Sequence, residues 1–178
     1  MKKLGLWIAL AAMIGSVAVA ETPEIVPMLQ QGTREVVIEG EYQFDSAIGP
    51  VTDLLVSYGY FFRDYFEVGG RLGLYNDDFS TDYRIGGFTE YNFYIDSRFV
   101  PFVGADIGWF IFDPDVPGFD SENTMFAGAS GGVKYFLSSN IALSAKYTLL
   151  WSEEKVFYEG DKIKDTDHRL RVGMRFYF

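Results

Sequence analysis

Apolar and polar residues alternate with a period of two along most of this chain, and the clearest run is the last. From Asp167 to Phe178 the sequence reads DHRLRVGMRFYF. Phe178, Phe176, Met174, Val172, Leu170 and His168 fall on one side, all apolar except His168. Tyr177, Arg175, Gly173, Arg171, Arg169 and Asp167 fall on the other. A β-strand sends successive side chains to opposite faces, whereas helical spacing would mix the two sets. An unbroken apolar side backed by arginines suits a barrel wall with lipid outside and a polar lumen inside.

Seven earlier segments repeat the pattern: about Arg34 to Phe44, Val51 to Phe62, Tyr65 to Tyr75, Tyr83 to Tyr94, Phe99 to Phe112, Thr124 to Leu137 and Ile141 to Ser152. Each has roughly the ten residues that a tilted membrane strand requires. The connections alternate in kind. Arg63-Asp64, Asp96 to Arg98 and Ser138 to Asn140 are short. Asp45 to Pro50, Asn76 to Asp82, Asp113 to Asn123 and Glu153 to Thr166 are longer, and the last is heavily charged. Short turns on one side and longer loops on the other are the habit of outer-membrane barrels. An even strand count brings both ends of the barrel to the short-turn, periplasmic side.

A soluble barrel would also alternate, but with its charges turned to water. The glycines decide between the two. Gly59, Gly69, Gly73, Gly86, Gly104, Gly108, Gly128, Gly132 and Gly173 all lie on the charged face. Small residues belong where space is tight, inside a narrow barrel. The other face carries bulky residues on every strand, with aromatics near strand ends as in an interfacial girdle. The expected fold is therefore all-β: an eight-stranded antiparallel up-and-down transmembrane β-barrel over residues 33–178, without a second domain.

The start of the chain refines this picture. Lys2 and Lys3 precede an apolar run from Leu4 to Val17 and a small-residue site at Ala18-Val19-Ala20. Residues 1–20 read as a cleaved secretory signal peptide, the run being shorter than the ~20 residues of a spanning helix. Residues 21–32, with Pro23 and Pro27, have no clear period and read as a periplasmic lead-in. There is no cysteine, which excludes disulfides and thiolate chemistry. A formal charge of −10 argues against nucleic acid as a partner.

With that orientation, Glu39, Glu41, Glu67, Glu90 and Asp106 face inward, together with Arg71, Arg84, Lys134, Lys146, Arg169, Arg171 and Arg175. Confined charges are costly unless paired. Eight strands enclose only enough space for side chains. The expectation is a lumen plugged by ion pairs, with small water pockets.

The signal peptide, the eight segments, the terminal Arg175-Phe-Tyr-Phe178, and the stretches Pro101 to Trp109 and Gly132 to Leu143 together resemble the OmpA/OmpX-like family of small outer-membrane barrels. The resemblance covers the whole chain after the signal peptide. It implies residence in the cell outer membrane as a monomer, contact with outer-membrane lipids and lipopolysaccharide, and reading of Phe178 and the alternate aromatics before it by the barrel-assembly machinery. The peptidoglycan-binding domain of larger relatives is not present in this sequence.

Three groups invite a chemical reading. His168, the only histidine, has outward parity at the external end of its strand. Lipid A deacylases use a His and a Ser on the lipid-facing wall, but Arg169 and Leu170 follow His168, and Ser144 and Ser152 on the neighbouring strand point inward. Asp113, Asp115, Asp120 and Glu122 cluster in one loop, where hard cations find carboxylates. The twelfth position of an EF-hand reading is Thr124, however, and Pro117 interrupts it, so a solvated acidic loop is the expectation. Glu39 and Glu41 share a face, but a filled lumen leaves no room for substrate. No catalytic, cofactor-binding or metal-binding residue is expected. The sequence points to a structural or interaction barrel that contributes to envelope integrity. The alternatives are a narrow small-solute channel and a lipid-modifying enzyme.

Overall fold

The computed structural model describes residues 25–43, 51–76, 80–114, 122–154, 157–159 and 162–178. The signal-peptide segment, the turn at 44–50 and residues 115–121 of the acidic loop lie outside the described residues. The strands are β1 (Arg34–Gln43), β2 (Val51–Arg63), β3 (Phe66–Asn76), β4 (Ser80–Asn92), β5 (Phe99–Pro114), β6 (Glu122–Ser138), β7 (Ile141–Ser152), β8 (Phe157–Glu159), β9 (Lys162–Lys164) and β10 (Thr166–Tyr177). Eight of them, all but β8 and β9, close a barrel in which every neighbouring pair is antiparallel. Closure is made by β1 against β10, with Val36 opposite Phe176, Ile38 opposite Met174 and Gly40 opposite Val172. A closed ladder leaves no unpaired edge, the condition for β-structure in hydrocarbon.

Alternation sorts the side chains as the sequence pattern requires. On β10, Leu170 and Val172 are 62% and 64% exposed, while Arg171 and Arg175 are 3% and 1%. Leu72, Ile107 and Trp109 are likewise exposed, whereas Glu39, Lys134 and Lys146 are buried. An apolar surface encircling the molecule is far beyond the few hundred Å² that soluble monomers tolerate. The inward glycines make the packing possible. A methyl group on Gly173 would stand 2.6 Å from Cγ of Glu39, and one on Gly132 would stand 2.7 Å from the Phe102 ring. A methyl on the outward Gly131 or Gly70 would meet nothing nearer than 3.8 Å.

The connections differ in detail from the alternation of short and long. β3 and β4 pair to their ends, Asn76 opposite Thr81, so only residues 77–79 separate them where a loop from Asn76 to Asp82 is expected. At the opposite end, residues 93–98 join β4 to β5 around Asp96, whose φ is 54°. The charged segment between β7 and β10 is not wholly irregular: β8 and β9 form a small hairpin within it. Tyr65, with φ 66°, turns the chain between β2 and β3. That end, with Ser139-Asn140 between β6 and β7 and both barrel termini, is called the short-turn end below.

Residues 25–32, the described part of the segment 21–32 read as a periplasmic lead-in, pack against the short-turn end. Leu29 is fully buried among Phe61, Val100, Phe136, Ala142 and Tyr177. Backbone bonds fasten the segment: Met28 N donates to Ser139 O (3.0 Å), Tyr65 N to Leu29 O (2.7 Å) and Gly32 N to Phe61 O (2.8 Å). The missing period has a physical cause, because a segment held by backbone bonds to turns presents no repeating face.

Candidate functional site

The chemistry of the described residues is concentrated in the lumen, which is built of ion pairs from end to end. In the half nearer the long loops, Asp53 of β2 is the common acceptor. Arg84 of β4 pairs with its Oδ1. Arg169 and Arg171 of β10 reach its Oδ2 at 2.9 and 3.1 Å. Arg169 also pairs with Asp167. Strand alternation places these groups together, because Arg169 and Arg171 are two residues apart and share one face of β10.

At mid-height Arg71 pairs with Asp106, and its guanidinium lies 4.3 Å from the Phe88 ring centroid. Lys146 donates to Glu39 at 2.5 Å. In the half nearer the short turns, Arg175 bridges three strands, meeting Glu35 at 3.1 Å, Glu90 at 3.0 Å and Glu39 at 3.5 Å. Lys134 pairs with Glu90 and lies 3.5 Å from Glu35. Phe102 stacks beneath both cations, 4.8 Å from Arg175 and 5.2 Å from Lys134. Glu67 completes the group: one oxygen each from Glu35, Glu67 and Glu90 lies within 4.8 Å of the others. A methyl group on Gly59 would overlap the Glu67 carboxylate, so that glycine makes its place. Below this layer the cluster of Leu29, Phe61, Phe136 and Tyr177 floors the barrel.

Such pairs in a region of low dielectric are strongly coupled. Removing one partner of a buried pair costs about 3–5 kcal/mol, since the other is left buried and uncompensated. The expected plug of ion pairs is present. Arg71, Arg84, Lys134, Lys146, Arg169, Arg171 and Arg175, taken as inward from parity, all make ion pairs in the lumen. Glu35, which shares the inward parity of Glu39, and Asp53 are lumen acids beyond those expected from the sequence. Asp53 lies two residues before Leu55 on the same face of β2, and that spacing was the available signal. A cavity of about 20 Å³ lies between Arg71, Arg84, Arg171, Asp106, Thr148 and Leu150.

The other candidates separate. His168 is exposed on the outer face, and its Nδ1 lies 2.5 Å from the Tyr147 hydroxyl. Ser144 is buried inside, and the Ser152 hydroxyl donates to the Glu154 carbonyl, so neither is brought to His168. Glu41 sits opposite Asp53 in the β1–β2 register, its side chain outside the described residues, as are the side chains of Asp113, Asp115, Asp120 and Glu122. Phe178 exchanges backbone hydrogen bonds with Arg34 and leaves its ring exposed.

The family model described as the outer membrane protein beta-barrel domain matches residues 8–176. No curated protein matches the sequence. Among solved structures, the chain is similar to the N-terminal β-barrel domain of Pseudomonas aeruginosa OprF, with TM-score 0.64 and 18% identity over 83% of this chain and 98% of that one. It is similar to Neisserial surface protein A, with TM-score 0.59 and 19% identity over 82% of this chain and 95% of that one. A third is the Yersinia pestis outer membrane protein Ail in a phospholipid bilayer nanodisc, with TM-score 0.52 and 13% identity over 83% of this chain and the whole of that one. At these identities the likeness is one of fold.

Proposed function

Because the chain belongs to the outer-membrane beta-barrel family, we propose that it serves as a sealed structural and interaction barrel, holding the outer membrane together while displaying its long loops to the outside. The observation that supports this reading is the lumen. Arg175, Lys134, Glu35 and Glu90 are each less than 5% exposed, and Leu29 closes the floor beneath them. A wall of ion pairs over an apolar floor gives strength without a water path.

The rest of the reading follows from that role. Residues 1–20 direct export and are removed, and residues 21–32 stand on the periplasmic side. The apolar belt meets lipid and lipopolysaccharide, and the strand ending at Phe178 is read by the barrel-assembly machinery. The barrel works as a monomer and carries no enzymatic step. The partner of His168 is the phenol of Tyr147, which supports a place at the lipid interface and offers no acylable nucleophile of the serine kind.

Planar-bilayer recording tests the sealed lumen. The refolded protein is expected to give no stepwise conductance at moderate voltage. Regular steps would replace this reading with a narrow small-solute channel.

A further inference from the structure

Among the described side chains, Glu67 is the one lumen acid that no cation pairs with. It is fully buried, and neither of its carboxyl oxygens has a hydrogen-bond partner. It stands opposite Glu90 in the β3–β4 register, and one oxygen each of Glu35, Glu67 and Glu90 lies within 4.8 Å of the others. The Glu35 carboxyl is within hydrogen-bond reach of it. Gly59 of β2, opposite Glu35, leaves the space through which the two meet. Two carboxylates so placed are both acceptors, and no hydrogen bond joins them unless one carries a proton.

The cations of this layer are already committed. Lys134 pairs with Glu90 and lies 3.5 Å from Glu35, and Arg175 meets Glu35, Glu90 and Glu39. Lys146 is held by Glu39, and Arg71, the next cation along the lumen, by Asp106. Tyr177, whose hydroxyl faces Glu35, is a neutral donor. The described lumen charges of this half are thus Glu35, Glu39, Glu67 and Glu90 against Lys134, Lys146 and Arg175, one negative charge in excess. Beneath them Leu29, Phe61 and Phe136 form an apolar floor. An uncompensated charge buried in such a place is so costly that the group is neutralised instead. Calcium and magnesium collect about six or more oxygens, which three carboxyls shared with an ammonium and a guanidinium do not supply. A proton needs two.

We propose that Glu67 is a proton-binding site, carrying one proton and donating it in a hydrogen bond to the Glu35 carboxylate. The proton, taken from solvent as the barrel closes, cancels the excess charge, gives the Glu67 carboxyl a partner and ties β3 to β1. This goes beyond the sealed-barrel reading and does not depend on the outcome of the conductance test.

Isosteric amides test it. Glu67→Gln puts a neutral group in place of a neutral acid, so its unfolding midpoint in lipid vesicles should equal or exceed that of the wild type. Glu90→Gln takes a carboxylate from Lys134 and Arg175 and should lower the folding constant about a hundredfold or more. The infrared spectrum of the refolded protein in heavy water at neutral pH should show the carbonyl stretch of a protonated carboxyl, absent from Glu67→Gln. A Glu67→Gln midpoint lowered as far as that of Glu90→Gln, or failure of Glu67→Gln to form a barrel, would overturn the proposal. So would a wild-type spectrum without the band, or a band that persists in Glu67→Gln. A wild-type midpoint that rises saturably with sodium or magnesium at constant ionic strength would put a metal ion in the proton's place and overturn it too.

Discussion

Among the described residues, Asp53 meets more cations than any other carboxylate. Its two oxygens receive Arg84, Arg169 and Arg171, which come from two strands well separated in the barrel. Asp53→Asn removes the carboxylate that Arg84 and Arg171 share, while Arg169 keeps its pair with Asp167. It is expected to lower stability by about 3–5 kcal/mol, read as the urea midpoint of unfolding in lipid vesicles. Asp64→Asn, which alters only the exposed bond from Gln31 N to Asp64 Oδ1 (2.8 Å), should cost less than about 1 kcal/mol. The two outcomes separate a paired interior from a decorated surface. Asp53 illustrates what a sequence withholds at this scale. Its face follows from counting back from Leu55, but its partners do not, because Arg84 and Arg169 meet it only once the barrel closes. The group of Glu35, Glu67 and Glu90 was hidden for the same reason, its members lying on β1, β3 and β4.

At the scale of the strand, the pairing of glycines with large neighbours sets the bore of the barrel. Gly132 makes space for the Phe102 ring, which in turn backs Arg175 and Lys134. Gly132→Ala drives a methyl group into that ring and the Ala145 carbonyl, an overpacking worth about 1–3 kcal/mol. Gly131→Ala, one residue along and facing out, meets only the Phe102 carbonyl oxygen at 3.8 Å and should change stability by no more than about 0.5 kcal/mol. Unfolding titrations of the pair measure the difference directly. The strands themselves were legible because a period of two needs only the order of residues. The eight segments, their faces and the inward glycines follow from that count. Strand ends were less so. β5 and β6 run to 16 and 17 residues, beyond the membrane-crossing length, since pairing continues into the loops wherever two chains stay side by side. The hairpin of β8 and β9 is an instance: Lys162 and Lys164 beside Glu159 and Asp165 read as a solvated charge run. Residues 25–32 were the least legible. Leu29 is buried by turns distant in sequence, and no local pattern announces it.

At the scale of the whole molecule, the account is that of a protein turned inside out, with ion pairs at its centre and hydrocarbon-facing residues around it. Leu72, on the outer face of β3 and 62% exposed, tests the solvent that surrounds it. In lipid, Leu72→Arg should cost about 2–4 kcal/mol, the penalty for a charge on the lipid face near the midplane. On a water-exposed surface the same change would be nearly neutral. Heat-modifiable migration on gels gives a rapid reading of whether the variant still forms a resistant barrel. The native tryptophans allow the most direct test. Trp109 on β5 and Trp151 on β7 both stand on the outer face, 53% and 42% exposed. Residues 21–178, refolded into bilayers of brominated phospholipid, should lose most of their tryptophan fluorescence while aqueous iodide quenches little. Fluorescence untouched by brominated chains and readily quenched by iodide would put water where the account puts lipid, and would contradict it.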